Sequence, residues 1–147
     1  MKITMYTDGG ARGNPGPAGA GAALFDEKGN VLREISDYLG ETTNNVAEYE
    51  ALIRALEAVK KITGSDFSQT EIAVHMDSEL VVRQIEGRYK VKAPELRPRF
   101  VRAQELIGAA NKVLFTHVPR EKNKHADRLV NEAIDRGLKG GRSKKNL

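Results

Sequence analysis

The 147-residue chain has no cysteine and no tryptophan, and its aromatic side chains amount to four Phe and four Tyr. Without cysteine there is no disulfide framework and no thiolate metal site. No apolar run approaches the roughly 20 residues that a bilayer-spanning helix needs. The first residues, Met1-Lys2-Ile3-Thr4-Met5-Tyr6-Thr7-Asp8, turn polar too early for a secretory signal. These absences point to a cytoplasmic protein with no membrane partner, held together by its own core. The length suits one domain, and 39% hydrophobic with 30% charged residues places it among globular chains rather than disordered ones.

The formal net charge is +4, and the excess base is unevenly spread. Arg83, Arg88, Lys90, Lys92, Arg97, Arg99 and Arg102 face only Glu86 and Glu95 in the same stretch, and Arg136, Lys139, Arg142, Lys144 and Lys145 follow with no acid among them. Either cluster reads equally as a solvated face or as a surface for phosphates.

Periodicity predicts one α/β domain with a mixed sheet over residues 1–138, followed by a basic, flexible tail at 139–147. Residues 2–7 read as a strand closed by Asp8, and the glycines and prolines of 9–17 read as a loop. Strands at 18–25 and 31–39 form a hairpin, and the small residues Gly19 to Ala23 suggest that something packs closely on the first of them. A helix capped by Thr43 or Asn44 runs to about residue 62 on a stripe of Tyr49, Leu52, Ile53, Leu56 and Val59. A strand at 71–76, a helix from 78 to 86, a helix from near Pro94, a strand at 112–117 and a helix from near Asn123 complete the chain.

Two acids lie on the wrong helix faces. At about 100° per residue, Glu50, Arg54, Glu57 and Lys61 share a polar row, whereas Glu48 falls beside Leu52, Ala55 and Val59. In the last helix Arg128, Glu132 and Asp135 share a solvent stripe, whereas Asp127 aligns with Val130, Ile134 and Leu138. An inward carboxylate costs several kcal/mol, on the order of 2–7, unless it is paired, hydrogen-bonded or neutral. Asp8 and Asp77 each follow an apolar strand, where open α/β sheets collect ligands. Four such acids at one sheet edge call for hard cations, and an oxygen-only donor set favours Mg²⁺ or Mn²⁺ over Zn²⁺. Two such ions form a known arrangement for in-line phosphoryl transfer. Taken singly, each acid is also explained as a cap or a surface ion-pair partner.

Four segments now fall into a pattern: Thr7-Asp8-Gly9-Gly10 with Asn14-Pro15-Gly16-Pro17, Thr43-Asn44-Asn45-Val46-Ala47-Glu48, Asp77-Ser78, and Asn123-Lys124-His125-Ala126-Asp127. In order and spacing they resemble the ribonuclease H type 1 family, over nearly the whole chain. The resemblance implies a ribonuclease-H-like fold, a five-stranded mixed sheet flanked by helices. It implies an endonuclease that hydrolyses the RNA strand of RNA–DNA hybrids and leaves 5′-phosphate and 3′-hydroxyl ends. Asp8, Glu48, Asp77 and Asp127 would be the catalytic acids and the ligands of two Mg²⁺ ions, with Mn²⁺ as a substitute. Gly9, Gly10, Asn14, Asn44 and the backbone near Ser78 would meet the RNA strand, and Thr43 and Asn45 the DNA strand. Arg12 and Asn123 join them as substrate contacts. Thr43 and Asn44 are equally explained as helix N-caps, each worth about 1 kcal/mol.

The chain departs from fuller bacterial members, which carry a histidine in a glycine-flanked mobile loop before the last Asp. Here Thr116-His117-Val118-Pro119-Arg120-Glu121-Lys122 has no glycine, and Arg120 takes the loop position. A guanidinium binds phosphate as a fork of donors and does not shuttle protons, so Arg120 is assigned the phosphate and His117 is the alternative. His75 and His125 are assigned structural roles. The basic protrusion is shortened to 87–98. Such compact members, expected to be monomers, also suggest double-stranded RNA as a further substrate. Other readings are a degenerate module that grips hybrids without cutting, a resolvase or exonuclease of the same superfamily, and a small-molecule phosphatase.

Overall fold

Alternating apolar residues build a sheet of five strands, β1 (Lys2–Ala11), β2 (Gly16–Phe25), β3 (Val31–Thr42), β4 (Glu71–Met76) and β5 (Lys112–His117), in the order β3-β2-β1-β4-β5. The computed structural model describes the backbone of residues 1–145 and the side chains of residues 1–140. β1, β2 and β3 are antiparallel neighbours, whereas β4 and β5 run parallel to β1. The helices are α1 (Asn44–Thr63), α2 (Glu79–Ile85), α3 (Arg97–Ala109) and α4 (Lys124–Lys145). Among the described residues, no helix is long and apolar enough to cross a membrane.

One face of the sheet carries the main core. Ile3 and Met5 of β1, Leu24 of β2 and Ile72, Val74 and Met76 of β4 pack with Leu52, Leu56 and Val59 of α1. Each such side chain contributes about 1.5–3 kcal/mol on burial. The Thr43 Oγ1 cap on the Val46 amide, 3.2 Å, contributes about 1 kcal/mol. Burial therefore decides that α1 forms, and the cap decides where it starts.

The opposite face of β2 carries α4. Side chains alternate along a strand, so Ala22 and Leu24 enter the core while Gly19 and Gly21 meet α4. A Cβ on Gly21 would lie 2.5 Å from the Ala126 carbonyl oxygen, and one on Gly19 would lie 2.9 Å from that of Val130. The close packing anticipated from the small residues of β2 is thus backbone against backbone. Further along, the Tyr38 ring sits on Gly137, leaving no room for a side chain there.

Several boundaries differ from the sequence reading; β2 starts at Gly16 and β3 runs on to Thr42, and three others bear on the site. β1 does not end at Asp8: Gly9, Gly10 and Ala11 pair with Ala20, Gly19 and Ala18, leaving a connection of only residues 12–15. Gly9 marks a close approach rather than a turn, because a Cβ there would stand 2.2 Å from the Ala47 carbonyl carbon of α1. α3 begins at Arg97 rather than near Pro94, with the Ala93 carbonyl accepting from the Leu96 and Arg97 amides ahead of it. α4 continues past Leu138 to Lys145, while the side chains of 141–147, most of the expected flexible tail, lie outside the described residues. Two 3-10 turns, Gly64–Gln69 and Arg120–Lys122, were not anticipated.

The contact of Gly9 with α1 yields a paired expectation. Gly9→Ala should cost about 1–3 kcal/mol by overpacking. Gly10→Ala, whose Cβ would meet nothing nearer than 3.9 Å, should be neutral or stabilising by up to about 1 kcal/mol. Urea denaturation midpoints of the two variants distinguish the cases.

Candidate active site

The β1–β4 ladder ends at Thr7 and Met76, and the next residue on each strand is an aspartate. Asp8 and Asp77 therefore stand side by side where the two parallel strands part, while β1 continues along β2 alone. The first turn of α1 crosses this gap because Gly9 admits its backbone, and it brings Glu48 with it. Carboxylate oxygens of Asp8, Glu48 and Asp77 all lie within 4.8 Å of one another.

Asp8 and Glu48 are only 7% and 8% exposed, and Asp77 is half-buried. Burial, reinforced by the charges of Asp77 and Asp127, pushes the Asp8 carboxyl up to about 8. Glu48 is driven well above the ordinary carboxylate range, again by burial first and then by Asp8 and Asp77, with the Gly9 amide opposing. Two buried carboxyls this close favour sharing a proton when no cation is present. Glu48 Oε2 is buried with no partner at all. An orphan buried carboxylate oxygen inside an all-oxygen cluster fits a hard divalent cation, so the residues present suit the metal that the resemblance implies.

Asp127 stands apart from the trio. It is half-buried in the first turn of α4, lines the same cavity of about 630 Å³, and acts on Asp8 through its charge. Its carbonyl accepts from Asn131 Nδ2 at 3.0 Å. Asn131, which the sequence reading missed, also receives the Arg12 guanidinium at 3.2 Å. Its only sequence signature is an i+4 spacing from Asp127.

The other anticipated residues divide into three groups. Gly9, Gly10, Arg12, Asn44 and Arg120 line the cavity, as does His117, whose Nε2 lies 3.3 Å from the Asp77 carbonyl oxygen. Arg12 is also held by Asp135 at 2.7 Å. Asn14, Thr43, Asn45 and Ser78 lie outside the cavity lining. The Ser78 hydroxyl caps α2 through the Val81 amide at 3.3 Å, and Asn14 Oδ1 accepts from the Asn44 amide at 3.0 Å. Asn44 Oδ1 in turn accepts from the Ala11 amide at 2.8 Å.

Asn123 is 1% exposed, and its Nδ2 donates to the Thr7 carbonyl at 2.9 Å, so its side chain is engaged within the protein. His75 stacks on Tyr6, with ring centroids 4.6 Å apart. His125 bonds Glu34 and meets Phe25 edge-on.

This fold and carboxylate cluster define the ribonuclease-H-like class, and a family described as "Reverse transcriptase-like" matches residues 6–133. Among solved structures, LC11-RNase H1 isolated from compost is 58% identical with a TM-score of 0.86, over 93% of this chain and 98% of that one. RNase H1 from the halophilic archaeon Halobacterium salinarum is 44% identical with a TM-score of 0.83, over 92% and 98% of the two chains. The bifunctional protein Rv2228c of Mycobacterium tuberculosis is 46% identical over 92% of this chain, which spans only 36% of that relative's length. The chain belongs to the ribonuclease H type 1 family.

The raised Asp8 carboxyl makes a signed stability prediction for the metal-free protein. Between 3.8 and about 8 the folded state holds a proton that the unfolded chain has released, so stability must fall as pH rises through that window. Thermal melts in chelator should therefore show the melting temperature declining from mildly acidic to mildly alkaline pH. Asp8→Asn should raise the alkaline value and flatten the slope; an unchanged slope would refute the cluster's protonation.

Proposed function

We propose that this chain is an endoribonuclease that cuts the RNA strand of RNA–DNA hybrids, leaving 5′-phosphate and 3′-hydroxyl ends. The observation that carries the reading is the convergence of Asp8, Glu48 and Asp77 oxygens within 4.8 Å around a partnerless buried Glu48 oxygen. A relative 57% identical over 92% of this chain, LC11-RNase H1, is known in complex with an RNA/DNA hybrid, which supports the choice of substrate.

In this reading Asp8, Glu48, Asp77 and Asp127 hold two Mg²⁺ ions, with Mn²⁺ as a substitute. Bound there, divalent ions would acidify the attacking water and neutralise charge on the leaving 3′-oxygen. The chain's own residues do the positioning. Asp8 and Asp77 are fixed where the paired strands β1 and β4 part, Glu48 by the packed start of α1, and Asp127 by α4. Arg120, exposed at the cavity, supplies a guanidinium fork to a phosphate.

Asn14 and Asn44 use their side-chain oxygens on backbone amides, so each keeps its NH₂ end for the substrate. Donors of that kind suit the acceptor-rich minor groove and its 2′-hydroxyls. Gly10 lets the backbone approach the RNA, with Gly9 and the Ser78 backbone beside it. Thr43 and Asn45, at the start of α1, take the DNA strand. All four carboxylates come from one chain, so a monomer suffices, and the cysteine-free composition suits the cytoplasm.

The test is a panel of labelled substrates with Mg²⁺ or Mn²⁺: hybrid, duplex RNA, duplex DNA and single-stranded DNA. Hybrid should be cut in its RNA strand, duplex DNA should be untouched, and duplex RNA should be cut more slowly because it presents the same 2′-hydroxyl-lined groove. Replacing an outer-sphere partner of a metal site costs about 10- to 100-fold, so Asp77→Asn, which removes a ligand, should lower kcat by at least about 100-fold. Preferential cutting of single-stranded DNA, or near-full activity of Asp77→Asn, would overturn the assignment.

A further inference from the structure

Asn123 occupies the crossing of three elements that carry the site. Its side-chain Nδ2 donates to the carbonyl of Thr7, 2.9 Å away, the peptide group that leads directly into Asp8. Its own carbonyl accepts from the Asp127 amide at 3.1 Å, and its backbone amide donates to the Arg120 carbonyl at 3.0 Å. One residue thus bonds simultaneously to the backbone ahead of Asp8, to the residue bearing the fourth carboxylate, and to the turn bearing Arg120.

Stability alone does not account for an asparagine here. Asn123 Oδ1 is buried with no hydrogen-bond partner, and so is the neighbouring Thr7 Oγ1. Leaving buried polar atoms unpaired costs stability that an apolar pair of similar shape would avoid. What an apolar residue could not supply is the directed bond to Thr7 that ties the start of α4 to β1. That tie matters because Asp127 is the one carboxylate outside the 4.8 Å trio. The glycine contacts with β2 fix how deeply α4 sits on the sheet, Ser36 and Arg12 hold it further along at Leu129 and Asp135, and Asn123 ties its N-terminal start, next to Asp127, to β1.

We infer that Asn123 is a positioning residue: it sets the placement of Asp127 and Arg120 relative to Asp8 and does not contact substrate. The inference rests on the proposed function for its consequence, but its physical content is a constraint on the site that exists without substrate.

The experiment compares wild type with Asn123→Ala and the near-isosteric Asn123→Leu, first confirming fold by circular dichroism. If Asn123→Ala does not fold, Asn123→Leu, which keeps the volume and loses the donor without adding charge, carries the comparison. In the folded variants, calorimetric titration with Mn²⁺ in the absence of nucleic acid should show affinity reduced by about 10- to 100-fold. Amide exchange at Asp127 should accelerate. On hybrid, kcat should fall by a similar factor while KM stays near wild type. Combined with Asp127→Asn, the loss should be smaller than the product of the two single losses, because the lesions share Asp127.

Wild-type Mn²⁺ affinity and kcat in a folded variant would overturn the inference, as would a rise in KM with kcat unchanged, which would make Asn123 a substrate contact. A wild-type chain inert on hybrids would instead sink the proposed function, and the Mn²⁺ and exchange measurements would still decide the role of Asn123.

Discussion

Three carboxylates held within 4.8 Å of one another repel, and the rest of the molecule is organised around that repulsion. Two unit charges at about 4 Å interact by about 4 kcal/mol at an effective dielectric constant near 20. A domain of this size is stable by only about 5–15 kcal/mol in total. The cluster therefore cannot stay fully ionised and metal-free without consuming much of the fold's stability. The upward shift of Asp8 and Glu48 is the response: the pair retains a proton. A divalent cation removes the same repulsion, so the feature that weakens the metal-free protein is also the one that suits it to such a cation.

No single element could hold such a cluster, and the fold divides the task. The sheet supplies two aspartates where β1 and β4 part, a geometry fixed by the parallel ladder beneath them. The core packing of α1 holds Glu48 in place, through Leu52, Leu56 and Val59 on the same face. α4 lies against the other side of the sheet and delivers Asp127 on glycine-lined contacts. Repulsion among the acids is thus opposed by apolar burial on two separate faces, and neither face alone carries all four carboxylates.

The chemistry was more legible in the sequence than the backbone that carries it. Glu48 and Asp127 could be singled out because helical periodicity placed them among apolar neighbours, and periodicity is a local property. The extent of β1 was misread because glycine has two uses, turning a chain and admitting a neighbour, and residues 9–13 do not say which applies. Only the Ala47 backbone, against Gly9, does. Asn123 was placed among the substrate contacts within the motif that ends in Asp127. Its hydrogen-bond partner Thr7 is 116 positions away, and a single hydrogen bond over that distance leaves no pattern to read. The parts of the site that follow from side-chain spacing were visible, and the parts that follow from one chain segment touching another were not.

The course of α4 bears on how this fold accommodates larger architectures. Asp127 sits in the first turn, and the helix then proceeds away from the carboxylates, past the Tyr38 ring on Gly137. From Asp127 to Gly140 is thirteen residues, roughly 20 Å of helix at 1.5 Å per residue. Whatever a longer polypeptide appended beyond that point would enter at a remove from the carboxylates, at the far end of this helix. Relatives in which the matching region is 36% of the whole show that such extended polypeptides exist, and a fusion partner carried at the end of this helix would leave the approach to the four acids clear.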